Sequence, residues 1–254
     1  MGDPMLDGVH ISEWGPPRAV LVHGGTPGGG AEAFAAQRPL AQRWHLVLPD
    51  RPGHGQTPAE GREDFERDAA LLAPLLGPGG AHVVGHSYGG VVALYIAARH
   101  PELVRSLILI EPSAFWLAPE DPATVAMSAA NRTLIEDPPS DPWETLERFF
   151  ALVGMEPLPA VLASMEPLPP PLIQAVHILL SLRGPWEGDV PMTELRLADR
   201  GQGPQVAHQQ RGGRHRRHTD LRVQERVGRL AHEEPRGGEE LRGGADGGER
   251  RGHQ

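Results

Sequence analysis

The chain has 254 residues, 39% of them hydrophobic, which is enough for one large α/β domain or two small domains. Its formal net charge of −9 argues against nucleic-acid binding by the whole chain, and the absence of cysteine excludes disulfides, thiol catalysis and cysteine-based zinc sites. The sequence contains no run of about 18 apolar residues and no signal-peptide pattern at its start, so we predict a cytoplasmic protein without a membrane-spanning helix.

The first half of the chain alternates between short apolar runs and stretches with helical spacing. Continuous apolar runs separated by helices predict a parallel sheet that is covered by helices on both faces. In chain order, the predicted strands are 19–23, 45–48, 81–85 and 107–110, and the predicted helices are 31–43, 62–76 and 87–99.

From about residue 119 to residue 186, helical stretches follow one another without a strand between them. Segments 143–153 and 171–182 have helical spacing and are separated by proline-rich turns. We interpret this region as a helical insertion that lies over the sheet. The predicted organisation is a core, a helical cap and an Arg/Gly-rich C-terminal segment, over residues 1–116, 117–190 and 191–254.

The sharpest motif is Gly85-His86-Ser87-Tyr88-Gly89, between a predicted strand and a predicted helix. It has the G-x-S-x-G pattern of a nucleophile elbow, in which a serine is exposed on a tight strand-to-helix turn. Glycines two residues on either side of the serine avoid collisions in that turn, and the helix N-terminus stabilises negative charge beside it. We therefore predict Ser87 as a nucleophile. The alternative is a glycine-rich turn with an incidental serine.

A second glycine-rich motif, HGGTPGG at residues 23–29, directly follows the first predicted strand. Backbone N–H groups in such a loop can point at a developing oxyanion, and the N–H of Tyr88 would be the second donor. We predict the N–H of Gly25, or of Thr26, as the donor from the loop. A phosphate-binding loop is the competing interpretation, but the Lys-Ser/Thr pair and the clean G-x-G-x-x-G of such loops are absent.

The third motif is DRPGHG at residues 50–55, after the second predicted strand. Together with HGG at 23–25 and GHSYGG at 85–90, it makes the chain similar to the α/β-hydrolase family, specifically to single-domain hydrolases with a helical cap. The similarity is close over about residues 18–115 and looser up to about residue 197. It implies the α/β-hydrolase fold: a mostly parallel sheet, helices on both faces and a helical cap.

The resemblance also implies roles for particular residues. Ser87 would be the nucleophile of a serine hydrolase, and the backbone N–H groups of Gly25 and Tyr88 would form the oxyanion hole. No cofactor and no metal ion are implied. In this family the DRPGHG segment usually shapes the sheet edge and a loop, so Asp50 and Arg51 are expected to be structural.

The family places an acid and then a histidine after the cap. Neither an apolar strand nor a Gly-His turn is visible after residue 197, so we expect the last strands of the sheet to be missing. Glu111, directly after the fourth predicted strand, is a candidate for the acid; the alternative is a glutamate that lines the pocket or bonds the loop. Histidines expected to have other roles are His54 and His86, in the loop and the elbow, and the solvated tail residues His208, His215, His218, His232 and His253.

The last 54 residues differ in composition from the rest: they hold 11 of the 24 arginines and 12 of the 32 glycines, and no aromatic residue. Such a segment buries too little apolar surface to offset the entropy lost on ordering, so we expect it to be disordered. We hypothesise that a shifted reading frame produced the residues after about 198, which the coding DNA would test. The Arg-Gly-Gly repeats leave RNA binding open, and His215 with His218 leave a metal pair open.

The predicted function is hydrolysis of a small ester, thioester, amide or C–C bond through an acyl-enzyme on Ser87. The expected partner is a small-molecule substrate, and we expect neither a membrane nor a nucleic acid as partner. The alternative is a catalytically impaired α/β-hydrolase-like protein that lacks the acid and the histidine of the triad. The aromatic residues of the predicted cap would either line an apolar substrate pocket or form the core of the cap; they include Trp116, Trp143, Phe149 and Phe150.

Overall fold

The computed structural model describes residues 5–6, 8–14, 18–25, 28–154, 165, 167–190 and 206–209, and its strands form one sheet. The strands are β1 (Met5–Leu6), β2 (Val9–Trp14), β3 (Arg18–Val22), β4 (His45–Pro49), β5 (Ala81–His86), β6 (Val104–Ile110) and β7 (Val206–Gln209). They lie in the order β1-β2-β4-β3-β5-β6-β7. β2 is antiparallel to both β1 and β4, whereas the pairs that join β4, β3, β5, β6 and β7 are all parallel.

Helices accompany the sheet and then form a group of their own after β6. The helices are α1 (Gly30–Ala33), α2 (Phe65–Leu72), α3 (Tyr88–Arg99), α4 (Pro122–Glu136), α5 (Pro142–Leu152) and α6 (Pro170–Ser181). Short 3₁₀ helices cover Ala35–Gln42, Ala73–Leu76, Phe115–Leu117 and Pro185–Glu187. Helices α4, α5 and α6 pack against one another, and α5 and α6 share a small apolar cluster. These three helices fall within the predicted helical cap and are called the cap below.

Apolar residues of the strands alternate between two covered faces of the sheet. Val20 and Val83 belong to the large cluster formed with α2 and α3, whereas Leu21 and Leu48 belong to a second cluster with Phe34. Of the twelve residues of α3, ten are buried. Burial on both faces explains why the central strands appear in the sequence as continuous apolar runs.

The predicted fold class is confirmed, and each of the four predicted strands and three predicted core helices has an observed counterpart. The predicted helix at 31–43 divides into α1 and a 3₁₀ helix that contains Pro39. Proline has no N–H to donate, which disfavours a continuous α-helix there. β1, β2 and α4 have no counterpart among the predicted elements; β2, with the sequence VHISEW, alternates apolar and polar residues rather than forming an apolar run.

A strand after the cap contradicts one expectation. β7 is parallel to β6, with Val206 opposite Leu107 and Gln209 opposite Ile110. The expectation that no strand follows residue 197 is therefore wrong for this segment. β7 contains one large aliphatic residue and joins the sheet through its backbone, which a search for apolar runs does not detect.

The remaining expectations for the C-terminal segment fall on residues 191–205 and 210–254, which lie outside the described residues. The domain boundaries, the disorder of the tail, the reading-frame hypothesis and the two tail-binding alternatives stay predictions. In the described part of the chain, no helix is both long and apolar enough to cross a membrane. The cytoplasmic location stays a prediction.

Replacement of Phe65 tests whether this residue anchors α2 to the core. Its ring is fully buried and lies close to the rings of Tyr88, Tyr95 and Trp116. We expect Phe65→Ala to lower the free energy of unfolding by about 3–5 kcal/mol, measured by urea denaturation. The control is Leu40→Ala, at a residue that is 49% exposed, where we expect a change within about 0.5 kcal/mol. Similar losses in the two variants would contradict the assigned core.

Candidate active site

Ser87 lies at the turn between β5 and α3 in a backbone conformation that residues other than glycine rarely adopt. Its φ is 52° and its ψ is −122°. The Ser87 N–H donates to the carbonyl of Ile110 at 3.0 Å, and the Ser87 carbonyl accepts from the N–H of Gly90 at 2.9 Å and of Ser113 at 3.2 Å. These three bonds hold the strained residue between the end of β6 and the first turn of α3.

Close packing around the elbow explains the glycines on either side of Ser87. A Cβ atom at Gly89 would lie 2.3 Å from the carbonyl oxygens of Val22 and His23, and one at Gly85 would lie 2.7 Å from the Cβ of Ala93. Both distances are shorter than any stable non-bonded contact. The start of α3 therefore rests directly on the end of β3, which gives these glycines the steric role expected from the motif.

The loop after β3 runs directly against the serine. A Cβ atom at Gly24 would lie 2.7 Å from the Cβ and 3.3 Å from the Oγ of Ser87. At Gly25, by contrast, an added Cβ would meet no atom within 4 Å, and this residue is exposed. Thr26, the alternative donor, lies outside the described residues.

Tyr88 directly follows Ser87 at the start of α3, and its side chain is buried. Its N–H belongs to the first turn of α3, where helix N–H groups have no partner four residues earlier. The guanidinium of Arg51 lies 5.0 Å from the centre of its ring, and its hydroxyl donates to the carbonyl of Arg183 at 3.3 Å. Burial raises the pKa of the Tyr88 phenol, with a further rise caused by the charge of Glu63, so the phenol stays neutral.

A buried ionic cluster lies beneath the loop and the elbow. The fully buried Arg51 donates from Nη1 to Asp68 at 3.0 Å and also to Glu63. Burial acts to lower the pKa of Arg51, but the charges of Glu63 and Asp68 outweigh it and leave the pKa above its ordinary value. Burial likewise acts to raise the pKa of Glu63, and the charge of Arg51 reverses the effect, so that this pKa is lowered.

His23 is a neutral member of the same cluster. Burial, followed by the charge of Arg51, holds the pKa of His23 well below its ordinary value. Its Nε2 accepts the backbone N–H of Arg51 at 3.1 Å, so its Nδ1 carries the proton and donates to the carbonyl of Gly24 at 2.8 Å. With both nitrogens engaged, His23 is a structural residue and not a general base.

The other two residues assigned to structural roles also lie in buried contacts. Asp50 accepts the N–H of Gly30 at 2.7 Å and the N–H of Gln56 at 3.0 Å, and its other contact is the Nδ1 of His10 at 2.9 Å. The Nε2 of His54 lies 3.4 Å from Glu63 Oε1. The sequence did not single out His10, Glu63 or Asp68, because nothing in their local pattern marks residues that meet through long-range packing; His23 was identified only as part of the HGG motif.

Glu111 follows β6 directly, next to the Ile110 carbonyl that binds Ser87. It is exposed and has a φ of 46°, the second positive φ among the described residues other than glycine. Its role as the acid stays a prediction. Among the described residues, no histidine is hydrogen-bonded to the Ser87 hydroxyl. His86 ends β5, and the backbone of His208 lies in β7, whereas the other tail histidines lie outside the described residues.

An apolar cavity of about 220 Å³ is lined by residues that follow β6 in the chain, including residues of α4. It begins at Phe115, two residues after the Ser113 whose N–H binds the Ser87 carbonyl. Its lining residues are Phe115, Trp116, Pro119, Thr124, Val125, Ser128 and Trp186. Trp116 thus lines a cavity as one interpretation proposed, whereas Phe150 packs against the apolar core of the cap.

No group of three or more His, Cys, Asp or Glu side chains within the described ranges is arranged to hold a metal ion.

The ionisation of Asp68 is expected to make stability depend on pH. Burial raises its pKa to about 6, and its Oδ1 has no hydrogen-bond partner among the described residues. The folded state therefore binds a proton more tightly than the unfolded chain, so this group's stabilising effect is full below about pH 4 and is lost as the pH rises through about 6. We expect Asp68→Asn to gain up to about 3 kcal/mol relative to the parent protein between pH 4 and pH 7.5, measured by urea denaturation. Parallel pH profiles of the two proteins would contradict the raised pKa.

Comparisons with known proteins agree with this geometry. Residues 18–150 match the alpha/beta hydrolase fold family. The pimeloyl-[acyl-carrier protein] methyl ester esterase of Chromobacterium violaceum is 39% identical over 139 residues, which are 55% of this chain and 54% of that protein. The esterase of the same name from Aromatoleum aromaticum is 37% identical over 180 residues, which are 65% of this chain and 70% of that protein.

Among solved structures, the crystal structure of DBJA superposes with a TM-score of 0.50 at 22% identity, covering 74% of this chain and 70% of that chain. This likeness concerns the fold alone. The chain spans about half the length of the Chromobacterium esterase that it matches. Since the family match covers more than half of the chain and includes the elbow and the loop that packs on it, the chain belongs to the alpha/beta hydrolase fold family.

Proposed function

We propose that the protein is a serine esterase that cleaves small carboxylic esters through an acyl-enzyme on Ser87. The observation that carries this proposal is the strained backbone of Ser87, with the loop after β3 packed against its hydroxyl. Strained residues of this kind are concentrated at active sites, because the surrounding structure must hold them in place. The names of the two relatives described above support an ester, rather than an amide or a C–C bond, as the substrate.

The proposed reaction uses the Ser87 hydroxyl and two backbone N–H donors. The Oγ of Ser87 attacks the ester carbonyl carbon, and the N–H groups of Tyr88 and Gly25 bind the oxyanion of the tetrahedral intermediate. The C–O bond then breaks, the alcohol leaves with a proton, and the acyl group stays on the serine. Water attacks this acyl-enzyme, releases the carboxylic acid and restores the Ser87 hydroxyl. A general base is required in both steps, and neither His23 nor the Tyr88 phenol serves as one.

We infer that the cavity at Phe115 belongs to the substrate site, and its size favours a small substrate. Its volume of about 220 Å³ is below the range of typical drug-sized pockets, and aromatic rings form much of its wall. We propose that it accepts a short apolar acyl or alkyl group. Two relatives are named for methyl ester hydrolysis, which fits an ester with a small alcohol part.

A second candidate function is a non-catalytic hydrolase-like protein. One observation favours it: in the described part of the chain, the Ser87 hydroxyl has no histidine partner. A covalent probe distinguishes the two proposals, because an activated serine reacts with a fluorophosphonate and an inert one does not.

For Ser87→Ala, we expect complete loss of fluorophosphonate labelling and at least a roughly thousandfold loss of kcat for p-nitrophenyl butyrate. The matched control is Ser106→Ala; Ser106 lies in the neighbouring strand β6, and its Oγ lies 2.7 Å from the Nδ1 of His82. Ser106→Ala is expected to keep parental labelling. A parent protein that is folded but unlabelled would support the non-catalytic alternative.

Gly24 tests the contact between the loop and the nucleophile. An alanine there would place a methyl group 2.7 Å from the Cβ of Ser87, so we expect Gly24→Ala to lower the labelling rate at least about 10-fold. The control is Gly79→Ala, where the added Cβ would have an ordinary contact of 3.6 Å with Arg105 and labelling should not change. Equal labelling rates in the two variants would show that the contact with the loop does not affect the reactivity of Ser87.

A further inference from the structure

Two consecutive residues after β4 bind both ends of the loop that approaches Ser87. At the first end, Arg51 donates from Nε to the carbonyl of His23 at 2.9 Å and from Nη2 to the carbonyl of Gly24 at 3.0 Å. At the other end, Asp50 accepts the N–H of Gly30 at 2.7 Å. The loop is therefore held by side chains that the predicted reaction does not itself use.

The contact at Gly24 has a directional consequence. In a trans peptide, the carbonyl of one residue and the N–H of the next point in opposite directions. The Gly24 carbonyl points at Arg51, so the Gly25 N–H points away from the buried cluster. A second donor, Nδ1 of His23 at 2.8 Å, binds the same carbonyl oxygen and fixes this peptide further.

We propose that Arg51 is a positioning residue that orients the Gly24–Gly25 peptide, so that the N–H of Gly25 faces the space above Ser87. This inference rests on the proposed function, since it is the oxyanion of ester hydrolysis that would use the N–H. The role goes beyond support for the sheet edge, because it acts on a single peptide group next to the nucleophile.

The chemistry of arginine suits this role. The planar guanidinium has five N–H groups, and here it binds two carbonyl oxygens on one side and the carboxylates of Glu63 and Asp68 on the other. The two carboxylates keep the buried charge neutralised and fix the plane of the group. A lysine has three N–H groups on one flexible nitrogen, so it would keep the charge without binding both carbonyls and both carboxylates at once.

The test is Arg51→Lys, with two measurements. We expect the rate of fluorophosphonate labelling of Ser87 to fall at least about 10-fold. Removal of one oxyanion donor typically lowers a reaction rate about 100- to 1,000-fold, and a misdirected donor loses part of that contribution. We also expect faster hydrogen exchange in the peptide that covers residues 20–31, with parental exchange in α3. The matched control is Arg99→Lys, at a half-exposed arginine paired with Glu66 at 2.9 Å, which should leave both measurements unchanged.

A second variant separates positioning from folding. Arg51→Gln combined with Glu63→Gln removes one buried cation together with one anion. We expect this variant, like Arg51→Lys, to show slower labelling of Ser87 and faster hydrogen exchange over residues 20–31. Parental labelling and exchange in a folded variant would overturn the inference, while labelling of the parent would still support the esterase. Unfolding of both variants would also overturn it, because Arg51 would then act on stability alone. If the parent is not labelled but Arg51→Lys releases the loop, the positioning role stands and the esterase proposal fails.

Discussion

The conformation of Ser87 is the constraint around which the rest of the site is arranged. A residue other than glycine with this φ and ψ costs on the order of 1–3 kcal/mol, which the chain must offset elsewhere. Backbone bonds from β6 and from the first turn of α3 hold the residue, and the end of β3 supports the helix through Gly89. Because three parallel strands end at the same edge of the sheet, that edge brings together Ser87, the loop after β3 and the residues that follow β6.

Beneath this edge of the sheet, the structure contains a buried ionic cluster rather than an apolar core. A fully buried arginine requires compensating partners, and the cluster provides two carboxylates and two carbonyl groups. The neutral His23 joins the arginine backbone to the same loop. The packing of the elbow and the ionic cluster below it therefore form one structure: moving the arginine would move the loop that contacts the serine.

Much of this arrangement could be predicted from the sequence because its signals are local. The apolar run before Gly85 and the helical spacing after Ser87 predict the strand, the turn and the helix, and the steric reason for the glycines is the one observed. Contacts between distant residues give no such signal. Arg51 meets Asp68 across 17 residues, although no local pattern marks Asp68, and it meets His23 across 28 residues, although the HGG motif does not reveal that contact.

Elements held mainly by their neighbours were also missed. β7 has too few apolar residues to be recognised, and it pairs with β6 through its backbone. The positive φ of Glu111, directly after β6, is likewise not marked by any local sequence pattern. Hydropathy describes which faces a segment buries, but it contains no information on which free strand edge the backbone will complete.

The open surroundings of Gly25 have a consequence for which substitutions the loop tolerates. Its neighbour Gly24 tolerates no side chain, yet at Gly25 the chain is exposed and free of steric neighbours. A Cβ atom at this position would meet no atom within 4 Å, so a side chain would fit without any shift of the main chain. Sequence variation at this one position is therefore independent of the strained architecture that holds the serine, which makes Gly25 a natural first choice for mutagenesis of the loop.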